Sequence, residues 1–195
     1  MKMITDKNKA LIAVKQSGRN LSYVSEKLRA DREVVLEAVS QYGRILEYAS
    51  RELKNDKEIV LAAVKQDGWA LESASPELKI DKEIVLTAVR DSGRTLQRAN
   101  YKLRADREIV LVAVKEDGMA LEFASEKFRA DKEIVLEAVK NTGWALQFAS
   151  EKLRADREVV LAAVWQNYEV LEYATYELRS EIRQIIQDNL IKYLK

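Results

Sequence analysis

The stretch Asp106–Ala130, DREIVLVAVKEDGMALEFASEKFRA, is one copy of a pattern that fills the chain. Counted from its aspartate, the unit returns every 25 residues, at Asp6, Asp31, Asp56, Asp81, Asp106, Asp131 and Asp156, without insertion or deletion. A constant period of this size signals a solenoid or array. All six glycines fall in one column, Gly18, Gly43, Gly68, Gly93, Gly118 and Gly143, which scattered local turns would not produce.

Inside the unit the first half predicts a helix. Asp106 suits an N-cap, because its carboxylate accepts from the free N–H groups of the first turn, and Glu108 adds negative charge where the helix dipole favours it. Ile109, Val110, Ala113 and Val114 then form a helical stripe. Leu111 widens the apolar arc, so the helix is expected to be buried on two sides. Gly118 is expected to end it in the left-handed conformation that glycine tolerates. Ala120, Leu121 and Ala124 predict a second, shorter helix. The next column, Ser25, Ser50, Ser75, Asn100, Ser125, Ser150 and Thr175, holds only capping residues, and Pro76 stands where proline favours a first helical position. A one-turn helix is therefore expected at about Glu126–Arg129, with Phe128 and the leucines of its column pointing inward.

One unit has about eight apolar side chains, too few to offset the ordering of 25 residues; stacking on neighbours must supply the rest. The predicted fold is an all-α, helical-repeat solenoid of seven 25-residue units with a C-terminal capping helix, a single domain over residues 1–195. Residues 1–30 read as an N-terminal capping repeat, 31–180 as regular repeats and 181–195 as the capping helix. In the first unit Lys9 and Ala10 replace an apolar pair, and Val24 replaces alanine. In the seventh, Trp165 replaces the usual cation and Tyr168 replaces glycine, with Asn167 as the expected left-handed residue. Ile182, Ile185, Ile186, Leu190, Tyr193 and Leu194 recur at helical spacing in the tail, where Ser180 is expected to cap. This tail is expected to close the stack; pairing of two molecules is its other reading.

The unit D-[KR]-E-[IV]-V-L-x-A-V-K-x-x-G-x-A-L-x-x-A-S-x-x-L-R resembles a family catalogued as domain of unknown function four-one-one-six. The resemblance covers Asp6 to Arg179 and implies tandem helical units. It assigns no activity and no catalytic residue.

Composition narrows the chemistry. The chain has 195 residues, no histidine and no cysteine, with 33 basic and 32 acidic residues. Thiol nucleophiles, disulfides and the commonest metal ligands are thereby excluded. Balanced charge gives no general case for nucleic acid or an anionic membrane. No apolar run is long enough to cross a bilayer, and the N-terminus lacks a signal-peptide core, so the expectation is a cytoplasmic protein. The acidic columns are explained as helix caps, the glycines are singletons rather than a phosphate loop, and the odd residues sit at the two ends. No enzyme activity, catalytic residue, metal or cofactor is expected.

Two surfaces stand out as binding candidates. The residue after each glycine and the one four later read Arg19 and Tyr23, Arg44 and Tyr48, Trp69 and Ser73, Arg94 and Arg98, Met119 and Phe123, Trp144 and Phe148, Glu169 and Tyr173. At helical spacing such pairs share a face; Arg, Trp and Tyr anchor protein interfaces, and variation on a uniform array suits a reading surface. The bland alternative packs them between units, with arginine stems over the rings. The second surface is the polar ridge of the long helix: Glu37, Ala62, Thr87, Val112 and Glu137, then Gln41, Gln66, Asp91, Glu116 and Asn141, with the composition of a solvated face. Two basic columns, one from Arg29 to Arg179 and one from Arg32 to Arg157, could follow a phosphate backbone, although adjacent Asp and Glu can neutralise them. The expected function is a protein-interaction scaffold; nucleic-acid binding and a structural spacer within a larger protein are the alternatives.

Overall fold

A computed structural model describes residues 3–193, with side chains as far as Gln187. Each unit opens with a ten-residue α-helix: Lys7–Gln16, Arg32–Gln41, Lys57–Gln66, Lys82–Asp91, Arg107–Glu116, Lys132–Asn141 and Arg157–Gln166. The aspartate column caps them as the sequence requires. Asp106 Oδ1 accepts from Glu108 N (3.0 Å) and Ile109 N (3.2 Å), and the same pair of bonds recurs at Asp31, Asp56, Asp81, Asp131 and Asp156. A six-residue 3-10 helix follows in every unit, Gly118–Phe123 in the fifth, and then, in the first six units, a one-turn helix. In the fifth unit that turn is α-helical over Glu126–Arg129; in the second to fourth it is 3-10, at Leu53–Asn55, Leu78–Ile80 and Leu103–Ala105.

The long helices form one layer and the 3-10 helices a second. Each substantial packing contact joins elements of one unit or of adjacent units, as in a quasi-one-dimensional array. Between the layers lie Ile109, Val110, Ala113, Val114, Ala120 and Leu121 and their counterparts, nearly all fully buried. Phe128 is buried under the one-turn helix, as are Leu28, Leu53, Leu153 and Leu178, while Leu78 and Leu103 are partly buried. Each inner long helix packs against the long helices before and after it and against the 3-10 layer, and Leu111 and the leucines of its column from Leu11 to Leu136 are half-buried at the edge of that core.

The glycine column has a different cause from the one predicted. No described residue has positive φ. The residue before each glycine, such as Asp117 at φ −146°, is extended, and the glycine begins the 3-10 helix. What demands glycine is the next unit. A Cβ on Gly118 would lie 2.2 Å from the carbonyl oxygen of Ala138, in the following long helix. At the seventh unit Asn167 is likewise extended, at φ −155°, and caps Glu169 N through its side chain. Position 168 has no such long helix stacked on it, and a tyrosine fits.

Serine caps are also weaker than predicted. Ser25, Ser125 and Ser150 make no side-chain cap bond, and Ser50 and Ser75 accept only long ones, at 3.4 and 3.3 Å. Instead the backbone N–H of this column donates across units, Ser50 to Arg29 O (2.9 Å), Ser125 to Arg104 O (2.9 Å) and Ser150 to Arg129 O (2.8 Å). Ahead of the first unit, Ile4 supplies that carbonyl to Ser25 and forms a parallel bridge with Val24.

The tail departs from its predicted boundary. Tyr176–Tyr193 is one helix, so Ser180 lies inside it and caps nothing. Glu181 occupies the column where aspartate breaks the chain elsewhere, and without that cap the helix runs on. Leu178 and Ile182 are buried against the stack, whereas Ile185 and Ile186 are exposed. Leu194 and the side chains of Leu190 and Tyr193 lie outside the described residues.

Candidate functional site: the variable rows and the seams between units

The predicted stripe sits on the 3-10 layer. Residues three apart are in line in a 3-10 helix, so residues four apart are turned by about 120° and the stripe divides into two neighbouring rows. Arg44 shows how the first row is held. Its Nε donates to Asp67 Oδ2 of the next unit (2.7 Å), and its guanidinium lies over the Trp69 ring, 5.8 Å from the centroid. The Asp67 contact holds the Arg44 guanidinium above its ordinary pKa. Arg94 is ion-paired with Asp117 of the next unit, 3.2 Å away, and Arg19 stacks on Tyr42 (4.4 Å). In the second row Tyr48 carries the Arg29 guanidinium of the unit before it (5.4 Å), and Arg98 pairs back to Glu72 (3.1 Å). Trp144 meets Tyr173 edge to face, with centroids 5.9 Å apart.

Cross-unit packing thus accounts for one side of many of these residues and leaves the other side open. Tyr23, Arg44, Tyr48 and Trp144 are exposed, and Trp69, Arg94, Arg98, Met119, Phe123 and Phe148 are half-buried. Tyr42, Arg44, Glu47, Trp69, Glu72 and Ser73 line a groove of about 370 Å³ between the second and third units.

The ridge column from Gln41 to Gln166 is exposed as expected, and all its members but Glu116 also bond backbone groups of the unit before. Asn141 Oδ1 accepts from Gly118 N (2.7 Å), and its Nδ2 donates to Lys115 O (2.7 Å). Asp91 accepts from Gly68 N (2.7 Å), Gln66 accepts from Gly43 N, and Gln41 donates to Lys15 O (3.2 Å). The polar ends of one long helix are thereby satisfied by the next. Amide or carboxylate side chains in this column carried that signal, but the sequence did not say which backbone groups they would reach.

The basic columns are engaged. Lys57 Nζ bridges Asp81 (2.8 Å) and Glu83 (2.9 Å) of the next unit. Lys7, Lys82 and Lys132 repeat this arrangement, and Arg32, Arg107 and Arg157 extend the ladder. Burial opposes ionisation of Asp31, Asp56, Asp81 and Asp106, yet the cation and backbone N–H bonds together outweigh it and hold each carboxyl below its ordinary pKa. At Asp156 the Lys132 bond leads to the same result. Bonds to the aspartates, then to the glutamates, raise Lys7, Lys57, Lys82 and Lys132. In the other column Arg29 donates to Val24 O (2.8 Å) and Ser22 O (2.7 Å), Lys54 to Glu47 O (2.7 Å) and Lys79 to Glu72 O (2.8 Å), whereas, among the described residues, no hydrogen bond reaches Nε of Arg104, Arg129 or Arg154. Burial lowers the pKa of Lys79.

Among the described residues, no cluster of three or more carboxylates is placed to hold a metal ion, and no helix is long and apolar enough to cross a membrane. The model of the domain of unknown function DUF4116 matches residues 6–54, 31–79, 81–129 and 131–179. The chain belongs to that family. Each DUF4116 match spans two consecutive units, so the matched stretches contain inter-unit contacts of the kinds just described: glycine against the following helix, the Gln41–Lys15 and Gln66–Gly43 bonds and the Lys7–Asp31 and Lys82–Asp106 pairs. No curated protein and no solved structure matches the chain.

Proposed function

We propose that this DUF4116 array is a non-catalytic scaffold that binds a partner protein along the two variable rows of its 3-10 layer. One observation carries the reading. Most columns repeat nearly unchanged and are buried, clamped or ion-paired between units; of those that vary, the column of Arg44, Trp69, Arg94, Met119 and Trp144 carries arginine and aromatic side chains braced against the neighbouring unit with one side open. Arginine and aromatic side chains held rigid by their neighbours are effective interface anchors, because little side-chain freedom is lost on binding. The groove lined by Tyr42, Arg44, Glu47, Trp69, Glu72 and Ser73 is the place for such an anchor from the partner.

Nucleic acid ranks second, because the cations from Lys7 to Arg157 are ion-paired with the next unit and Arg29, Lys54 and Lys79 are bonded to carbonyls of their own units. A chain without cysteine suits a reducing compartment, and we place its work in the cytoplasm. The test is affinity capture from a native lysate with the wild-type chain and with the double variant Trp144→Ala, Arg94→Ala, both checked for an unchanged helical spectrum. Loss of specific partners is expected with the variant; an identical set of recovered proteins would remove the rows as the site. Fluorescence anisotropy with single-stranded oligonucleotides at low salt should show no binding.

A further inference from the structure

The seventh unit ends the array with an uncovered face. In the six units before it the valine one turn after the leucine column (Val14, Val39, Val64, Val89, Val114 and Val139) is fully buried, whereas Val164 is only partly so. Leu161 rises to 43% exposed, Tyr168 is 48% exposed and Trp165 is 93% exposed. Leu161 and Trp165 are one helical turn apart and share a face. Val164 and Tyr168 stand in columns that are buried in the six units before, so they continue the inter-unit interface; position 165 belongs to a column that is exposed in every unit, and Trp165 puts an aromatic ring beside that open edge.

What can cover this face is restricted by two residues. A further unit stacked in the array's own geometry would bring a long-helix carbonyl to within roughly van der Waals overlap of any Cβ at position 168, as the 2.2–2.7 Å values at the six glycines show; Tyr168 forbids that approach. A second copy added head to tail would also present Lys9, exposed where later units bury Ile or Val. Leu161, Val164, Trp165 and Tyr168 are uncharged, with Arg157, Glu158 and Glu169 at the rim. From Leu161 to Tyr168 the sequence is LAAVWQNY, while the corresponding window of every other unit has at least one charged residue, for example Lys115, Glu116 and Asp117 in the fifth. A neutral apolar face can meet its own copy across a two-fold axis without like-charge repulsion.

We propose that Leu161, Val164, Trp165 and Tyr168 form a self-association face, through which two copies of the chain pair end to end about a two-fold axis. Exposed Leu161, Trp165 and Tyr168 leave on the order of 400 Å² to cover, with aromatics contributing ~150–250 Å² when fully buried, against about 800 Å² per partner in a standard interface. The pairing is therefore weak and concentration-dependent. Sedimentation velocity on the purified chain, from low micromolar to several hundred micromolar, should show the mass rising from one chain toward two. Trp165→Lys, which restores the residue type of Lys115 and Lys140, should weaken association by at least about tenfold, the loss of a central anchor, with no change in the thermal melt of the dilute protein. A wild-type chain that stays monomeric throughout, or a Trp165→Lys variant that pairs equally well, overturns the proposal. Neither outcome bears on the variable rows, which lie on a different surface.

Discussion

Replacing Gly118 by alanine separates two physical explanations of the glycine column by the sign of the effect. Backbone conformation permits alanine, since no glycine has positive φ. If nothing else mattered, the substitution would stabilise by about 0.4–1 kcal/mol through the unfolded chain. The neighbouring unit reverses this. The new Cβ would sit 2.2 Å from Ala138 O and 3.0 Å from Thr142 Cβ and N, where ordinary contact begins at 3.4 Å. The obstacle is helix backbone, so the sixth unit must retreat by about 1 Å, and overpacking of this kind costs ~1–3 kcal/mol. The retreat also stretches the Asn141–Gly118 bond of 2.7 Å. A net loss of about 1–2 kcal/mol corresponds to a melting temperature lower by ~2–8 °C for a chain of this size. Gly143→Ala, whose Cβ would be 2.7 Å from Ala163 O, should cost less. Thermal unfolding followed by circular dichroism of the two variants is the assay. An unchanged or raised melting temperature for Gly118→Ala would refute close approach as the reason for glycine.

Two further expectations concern the seams. The aspartates of the ladder are held below their ordinary pKa of 3.8, so their contribution is complete above that value and is lost as pH falls through the lowered one. The lysines are held above 10.5, so theirs is complete below 10.5 and is lost as pH rises past it. Melting temperature against pH should therefore show a plateau from about pH 5 to about pH 10 with a decline on each side, and a melt that keeps rising into strong acid would count against the ladder. Asn141→Ala removes both clamp bonds and strands the Gly118 N–H, a loss of ~1–3 kcal/mol; Asn141→Asp, which copies Asp91, should recover part of it in the same denaturation experiment.

How much was readable in advance follows from where each signal lies. The ten-residue helices, their aspartate caps, the inward Phe128 and the one-turn helix at Glu126–Arg129 depend on residues within one turn of each other, and the stretch Asp106–Ala130 contains them all. The variable rows were visible as columns, but their spacing was read at α-helical pitch, and the 3-10 geometry of Gly118–Phe123 split one stripe into two. Asn141 is exposed, as its polar column implies, but its bonds to Gly118 and Lys115, 23 and 26 residues away, are not legible in the sequence. The tail was divided at Ser180 on capping preference, whereas the absence of aspartate at position 181 decided the continuous helix Tyr176–Tyr193.

By itself the sequence determined that this chain is a stack of equal helical modules, because a fixed period of caps and apolar positions dictates local dihedrals and an inward face wherever it occurs. Only the tertiary structure decided what the glycines, amides, serines and cations are for. Those roles depend on the offset between neighbouring modules, which brings Gly118 against Ala138 and Lys57 against Asp81. Backbone and side-chain groups more than twenty residues apart meet there by packing geometry, and that geometry leaves no local trace in a one-dimensional pattern.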